Sequence, residues 1–292
     1  MPVPEFEYIA PDTIEAAVNL LKENGPDAHV MAGGTDLLIK IRHNALQPGF
    51  LISLKQIKGL DEISFDPEKG LTIGAMVLLS DVAAHQQIIE HYPSIAYAAR
   101  STANVQVRNM GTIVGNLCNA SPSADNAPTL LAMDAKLRIQ GLKGKKEMPL
   151  DQFFKGPGIT ALAPHEIVTS VFVPKPPPGT GTAYHSLSQR GQLDCSAVGA
   201  GAMVTLKDKQ CVKARLFIGA CGPIPIFAEK ASNMLKGKKL TDSLIEKAAL
   251  KASRETTPIS DVRATADYRW KMVTVMAIRA IADARKMALN KS

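Results

Sequence analysis

Apolar positions recur along this chain in two rhythms, a helical one and a strand-like one, and the two alternate from end to end. Ile14, Ala17, Val18 and Leu21 fall at helical spacing behind Thr13, a residue able to cap, which predicts a helix over 13–24. Short apolar runs predict strands at 29–32, 50–54, 71–77 and 137–140. Ser80-Asp81 is expected to cap a helix reaching about His91, with further helices over 94–103 and 127–133. Lys143-Gly144-Lys145-Lys146 reads as a polar turn.

Pro174, Pro176, Pro177 and Pro178, followed by Gly179, form the clearest connector in the chain, because proline cannot donate to a sheet ladder. The main domain boundary is therefore expected there, with one domain over 1–176 (subparts about 1–55 and 56–176) and another over 180–292. In the second, apolar runs at 198–206 and 211–220 flank Lys207-Asp208-Lys209-Gln210, the pattern of an antiparallel hairpin. Helices are expected over 241–252 and 267–289, the latter with a stripe of Trp270, Val273, Met276, Ala277, Ala280 and Ile281 opposite basic residues. The fold class is α+β.

At 292 residues, 46% hydrophobic and 21% charged, the chain can bury a substantial core. No apolar run approaches a membrane span, and the N-terminus lacks the basic and apolar regions of a signal peptide, so a cytoplasmic location is expected. Cys118, Cys195, Cys211 and Cys221 form no C-x-x-C pair, and His85 and His91 lie off helical ligand spacing, so no metal is expected. The net charge of +7 is concentrated from Glu229 onward, where fourteen Lys and Arg face seven acids. Modules that bind nucleic acid interleave aromatics with such charge, and those are missing; a solvated face, or one that docks on acidic protein, remains.

Two segments carry the chemistry. One is Val30-Met31-Ala32-Gly33-Gly34-Thr35-Asp36-Leu37-Leu38; the other is Gly111-Thr112-Ile113-Val114-Gly115-Asn116, leading on to Ser121, Ser123 and Asp125. Each places glycine and a small hydrogen-bonding residue after apolar ones. Glycine lets backbone approach a ligand, and successive N–H groups in such a turn form a concavity for phosphate oxygens. Two such loops suit a diphosphate held from both sides. The plainer alternatives are a strand-to-helix turn with Asp36 as a cap, and a β-turn with Asn116 in a left-handed conformation. Neither a Rossmann fingerprint nor a P-loop is present, nor is a G-x-S-x-G elbow.

Position by position, these loops resemble the FAD-binding (medium) subunit of the molybdenum hydroxylases, the family of xanthine dehydrogenase and aerobic carbon monoxide dehydrogenase. The resemblance extends to Pro4-Glu5-Phe6-Glu7-Tyr8, Asp151-Gln152-Phe153-Phe154-Lys155-Gly156-Pro157-Gly158, Glu166-Ile167-Val168 with Val173-Pro174, and Ala266-Asp267-Tyr268-Arg269. It implies a two-part FAD-binding domain of the vanillyl-alcohol-oxidase type, followed by a smaller α+β domain of the CO dehydrogenase flavoprotein kind.

The same resemblance implies an electron-transfer subunit with no catalytic side chain. FAD would contact Met31, Ala32, Gly33, Gly34, Thr35, Asp36 and Leu37 on one side, and Thr112, Ile113, Val114, Gly115 and Asn116 on the other. Asp125 matches an acid near the ribityl chain, although it could equally cap the helix after it, and Val168 matches a backbone contact to the flavin ring. Two positions depart from the pattern: Ser188 stands where several relatives carry lysine, with Arg190 nearby as a substitute charge, and Thr102 where some stack an aromatic on adenine. Cys118 follows the second loop closely and reads either as a small buried filler or as a residue near the cofactor. The implied partners are a molybdopterin-binding large subunit and a [2Fe-2S] small subunit, with NAD among the acceptors, in a heterotrimer. The alternative is a stand-alone FAD-dependent oxidoreductase of the same fold.

Overall fold

The computed structural model of the chain describes residues 4–191 and 194–291. Its first layer is a parallel sheet in which Phe50–Ser53 lies between Glu7–Ile9 and Ala28–Met31. Helix Ile14–Asn24 covers it with Ala17, Val18 and Leu21. Thr13 Oγ1 accepts the Ala16 N–H at 3.2 Å, supplying one of the bonds the first helical turn lacks.

The second layer is an antiparallel sheet ordered Ile63–Asp66, Gly70–Gly74, Ile167–Pro174, Lys136–Gly141, Gly144–Pro149. Leu71, Ile73, Leu137, Ile139 and Val171 face a core shared with helices Leu79–Ala84, Gln86–His91, Pro93–Ser101 and Asn126–Ala132. A bulge between Val168 and Ser170 breaks the register with Lys136–Gly141, where the strand passes the site described below.

Residues 175–179 then lead into an antiparallel sheet ordered Thr180–Leu187, Val198–Lys207, Gln210–Gly219, Ile226–Phe227. Its hairpin turns on Asp208 and Lys209, both left-handed (φ 51° and 62°), as a two-residue loop demands. Strand Val198–Lys207 is buried along all but its last residue, because the sheet is covered on both faces. Met203 and Phe217 join the preceding core, while Val204, Leu216 and Ile218 pack under Asp242–Ser253 and Ala266–Leu289. The buried hydroxyls of Thr129, Ser94 and Thr182 tie the two layers together, Thr129 donating to Ser94 (2.9 Å) and Ser94 to Thr182 (3.0 Å).

Several local expectations are corrected. The helix expected from Ser80-Asp81 to His91 is two helices, Leu79–Ala84 and Gln86–His91, broken at an extended His85. It starts a residue early because Leu78 bridges to Thr112 and the Leu79 N–H bonds to the Gly111 carbonyl. The turn expected over 143–146 lies at Leu142-Lys143; Gly144, Lys145 and Lys146 open an edge strand, where exposed lysines deter further pairing. Strands Glu7–Ile9, Ile63–Asp66 and Thr180–Leu187 add to the pattern. The stripe on the last helix omits Trp270, which is 39% exposed; its neighbour Arg269 is buried instead.

Candidate functional site

The two glycine segments fold against each other. A Cβ on Gly33 would stand 1.8 Å from the Met110 carbonyl oxygen and 2.9 Å from Gly111 Cα, so this crossing admits only glycine. Gly34 follows with φ +72°, and its carbonyl accepts the Leu38 N–H to start helix Leu37–Arg42. Among the described residues no hydrogen bond reaches the N–H groups of Gly33, Gly34, Thr35 or Asp36. Asp36 occupies the cap position but makes no side-chain cap bond, so the capping alternative does not describe it. Four adjacent, unpaired N–H donors make a concavity suited to an anion.

The second segment is the start of a helix, Ile113–Cys118, rather than a β-turn. Thr112 Oγ1 accepts the Gly115 N–H at 2.9 Å, which leaves the hydroxyl proton free to donate. Asn116 lies within the helix and uses Oδ1 to accept from Asn126 Nδ2 at 3.0 Å, leaving its own NH₂ as donor. Asn126 Nδ2 also reaches Thr102 Oγ1 at 3.1 Å, and Thr102 in turn donates to the Ala98 carbonyl.

Between the segments lies a cleft of about 730 Å³, within the usual size of a cofactor pocket. It is lined by Met31, Ala32, Gly33, Gly34, Thr35, Asp36 and Leu37, and by Thr102, Thr112, Val114, Gly115, Asn116, Asp125 and Val168. Ile113 and Ser188 are not brought to it. Ile113, the first residue of its helix, is fully buried in the core, and the Ser188 hydroxyl donates to the Gly191 carbonyl. Arg190 does not line it either, and its Nη2 pairs with Asp194 Oδ1 at 2.5 Å.

Asp125 is the chemically distinctive group. It is 7% exposed, and its Oδ1 accepts from Tyr184 Oη at 2.7 Å and Ser196 Oγ at 2.5 Å, both from the C-terminal sheet region. Burial raises its pKa, and the Ser196 and Tyr184 hydroxyls only partly oppose that. No hydrogen bond from a described residue reaches Oδ2. Asp125 makes no side-chain cap to helix Asn126–Ala132, so the capping alternative fails here too. A carboxylate with a spare oxygen at a cleft wall can accept hydrogen bonds from hydroxyls of a ligand.

Sequence reasoning missed several lining residues. Lys40, held by Asn119 Oδ1 at 2.8 Å, stands on the helix after the first glycine turn, where a basic residue beside an anion nest was a usable signal. Asn104, Asp194 and Cys195 also line the cleft, and they come from distant segments. Cys118 lines it as well; burial pushes its thiol up to about 12, so it stays protonated. Among the described residues no group of His, Cys, Asp and Glu could hold a metal ion, and no helix is long and apolar enough to cross a membrane.

Comparison with known proteins accords with this geometry. The model of the FAD binding domain in molybdopterin dehydrogenase matches residues 4–176, and that of the CO dehydrogenase flavoprotein C-terminal domain matches residues 183–284. The chain is 31% identical to the 6-hydroxypseudooxynicotine dehydrogenase complex subunit alpha of Paenarthrobacter nicotinovorans, over 97% of this chain and 96% of that one. It is 32% identical to the carbon monoxide dehydrogenase medium chain of Afipia carboxidovorans, over 98% of each. Its structure superposes on a chain of carbon monoxide dehydrogenase from Hydrogenophaga pseudoflava with a TM-score of 0.94 at 32% identity, covering 98% of this chain and 99% of that one.

Proposed function

The chain belongs to the family of FAD-binding medium subunits of the molybdenum hydroxylases, and on that premise we propose that it is the electron-transfer flavoprotein of a multi-subunit dehydrogenase of this kind. The observation that carries the reading is the pairing of an unpaired N–H nest with a buried carboxylate along one cleft, the two features that a diphosphate and a hydroxylated chain require.

The residues present fit FAD. The N–H groups of Gly33, Gly34, Thr35 and Asp36 would hold diphosphate oxygens, with Lys40 adding positive charge from the same side. Thr112 and Asn116 would donate from the opposite wall. Asp125 would accept from ribityl hydroxyls through Oδ2, and the bulged backbone at Val168 would border the flavin ring. Thr102 would border adenine without stacking on it. No side chain in the cleft has to move a proton: the chain's work is binding, orientation and exclusion of water. FAD bound there would supply electron transfer from [2Fe-2S] clusters on a small partner subunit to NAD or another acceptor, and substrate would be oxidised at a molybdenum–pterin centre on a large subunit.

Affinity purification of the tagged chain from its native host, followed by metal analysis, tests the assembly. Co-purifying large and small subunits carrying molybdenum and iron are expected. A chain that runs alone, binds FAD and turns over an organic substrate would instead establish the stand-alone oxidoreductase.

A further inference from the structure

Arg269 is 2% exposed; its Nε finds no partner among the described residues, so the cost of burying the guanidinium is offset through its two terminal nitrogens. Its Nη1 donates to the carbonyls of Ala197 (3.1 Å) and Ala220 (2.9 Å), and its Nη2 to Asp261 Oδ1 (2.6 Å). Each of these partners grips one short stretch of the cleft wall, either itself or through a nearby residue. Ser196, next to Ala197, donates to Asp125. The Ala220 N–H bonds to the Pro122 carbonyl at 2.7 Å. Asp261 accepts the Arg263 N–H at 2.8 Å and lies 3.4 Å from Arg263 Nε, while Arg263 Nη1 donates to Ser123 Oγ at 2.7 Å.

The stretch so gripped, 121–125, belongs to no helix or strand, yet Ser121, Ser123, Ala124 and Asp125 all line the cleft. Its own backbone contributes an Ala124 N–H bond to the Ser121 carbonyl. Of the contacts from the C-terminal sheet and helices described here, only the Tyr184 bond to Asp125 does not trace back to Arg269. A planar fork directs donors from two nitrogens at three acceptors on three segments; an ammonium offers its three donors from a single point and does not reproduce that spread.

We propose that the C-terminal domain completes the cofactor site, with Arg269 as the positioning residue that fixes segment 121–125 and thereby the direction of Asp125. Arg269 does not line the cleft itself and acts through Ser196, Ala220 and Arg263. The proposal rests on the reading that Asp125 faces FAD.

The test is FAD titration of the deflavinated protein, with the midpoint potential of bound flavin and the melting temperature measured alongside. Arg269→Lys, which keeps the charge but not the fork, is expected to weaken FAD about tenfold and to shift the flavin potential. Ser196→Ala should weaken it about fivefold, and the double variant by much less than the product, because both act on one carboxylate. Arg263→Ala, on a partly exposed side chain, keeps the test available if Arg269→Lys folds poorly; about a threefold loss is expected. Variants that melt lower yet bind FAD with wild-type affinity and potential would reduce Arg269 to a structural role and overturn the proposal. So would strictly multiplicative losses. Wild-type protein that takes up no FAD would instead overturn the cofactor reading beneath it.

Discussion

At one end of the cleft the unpaired polar groups are backbone N–H groups of Gly33, Gly34, Thr35 and Asp36, set by a turn that crosses the Gly111 segment. At the other end they are side chains around Asp125, held by partners 59, 71 and, through Ser123, 140 residues away in sequence. The first end is made of main chain, so a side chain at the Gly33 crossing is an obstruction. The second is made of oriented side chains, so it depends on its hydrogen bonds. A diphosphate, with its symmetric array of acceptors, needs only donors. Hydroxyls on a flexible chain need an acceptor aimed in one direction, and aiming it takes a scaffold.

The largest effect that would break this contrast lies at Gly33. Gly33→Ala brings a Cβ into the Met110 carbonyl, which must shift at a cost of about 3 kcal/mol or more. Flavin per protein after purification should fall to background, and Gly33→Val should do the same while the C-terminal domain stays folded. Wild-type occupancy in either variant would mean that the loop crossing is not what shapes the nest.

Next comes Asp125→Asn, which keeps an oxygen for Tyr184 and Ser196 but replaces the free acceptor by a donor. About a thirtyfold loss of FAD affinity is expected, in the range of a hydrogen bond to a charged group. Stability moves the other way. Because the folded-state pKa of Asp125 is raised, the proton-bound form favours folding; that advantage is complete below the ordinary carboxylate range and lost as pH rises through the raised value. Without FAD, Asp125→Asn should therefore match wild type in acid and equal or exceed it at neutral pH. Denaturant melts across that range check the sign, and a variant less stable only at neutral pH contradicts it.

Gly115→Ala should be milder than Gly33→Ala, since its Cβ would meet side chains rather than backbone: the Thr112 hydroxyl at 2.9 Å and Ala32 Cβ at an ordinary 3.9 Å. Loss of that cap costs about 1 kcal/mol, and titration should show FAD weakened about fivefold. Smallest of all, charge reversal at the exposed Lys236, Lys238 and Lys239 should leave FAD binding untouched while making subunit association weaker and less sensitive to salt. Unchanged association would remove the basic C-terminal domain from the docking surface.

The same contrast explains how much was legible in the sequence. Capped helices such as Ile14–Asn24 and Ala266–Leu289, and the hairpin turning on Asp208-Lys209, follow from local pattern, and so do both glycine segments. Asp125 was singled out by the family resemblance, but its partners Tyr184 and Ser196 were not, because hydrogen bonds across such separations leave no periodic trace. Arg269 was hidden more deeply. On a helix with an apolar stripe, the adjacent Trp270 is the natural choice for the buried position, and only the carbonyls of Ala197 and Ala220 meeting at one point reverse that choice. Ser188 and Ile113 lie outside the cleft lining for a related reason: a position within a family pattern does not decide which way a side chain leaves the backbone.

The most direct test of the central claim is the visible absorption spectrum of the natively purified protein, with its bound material released by heat and identified. The account predicts flavin bands and the release of FAD rather than FMN. A colourless protein that also takes up no added FAD would contradict it.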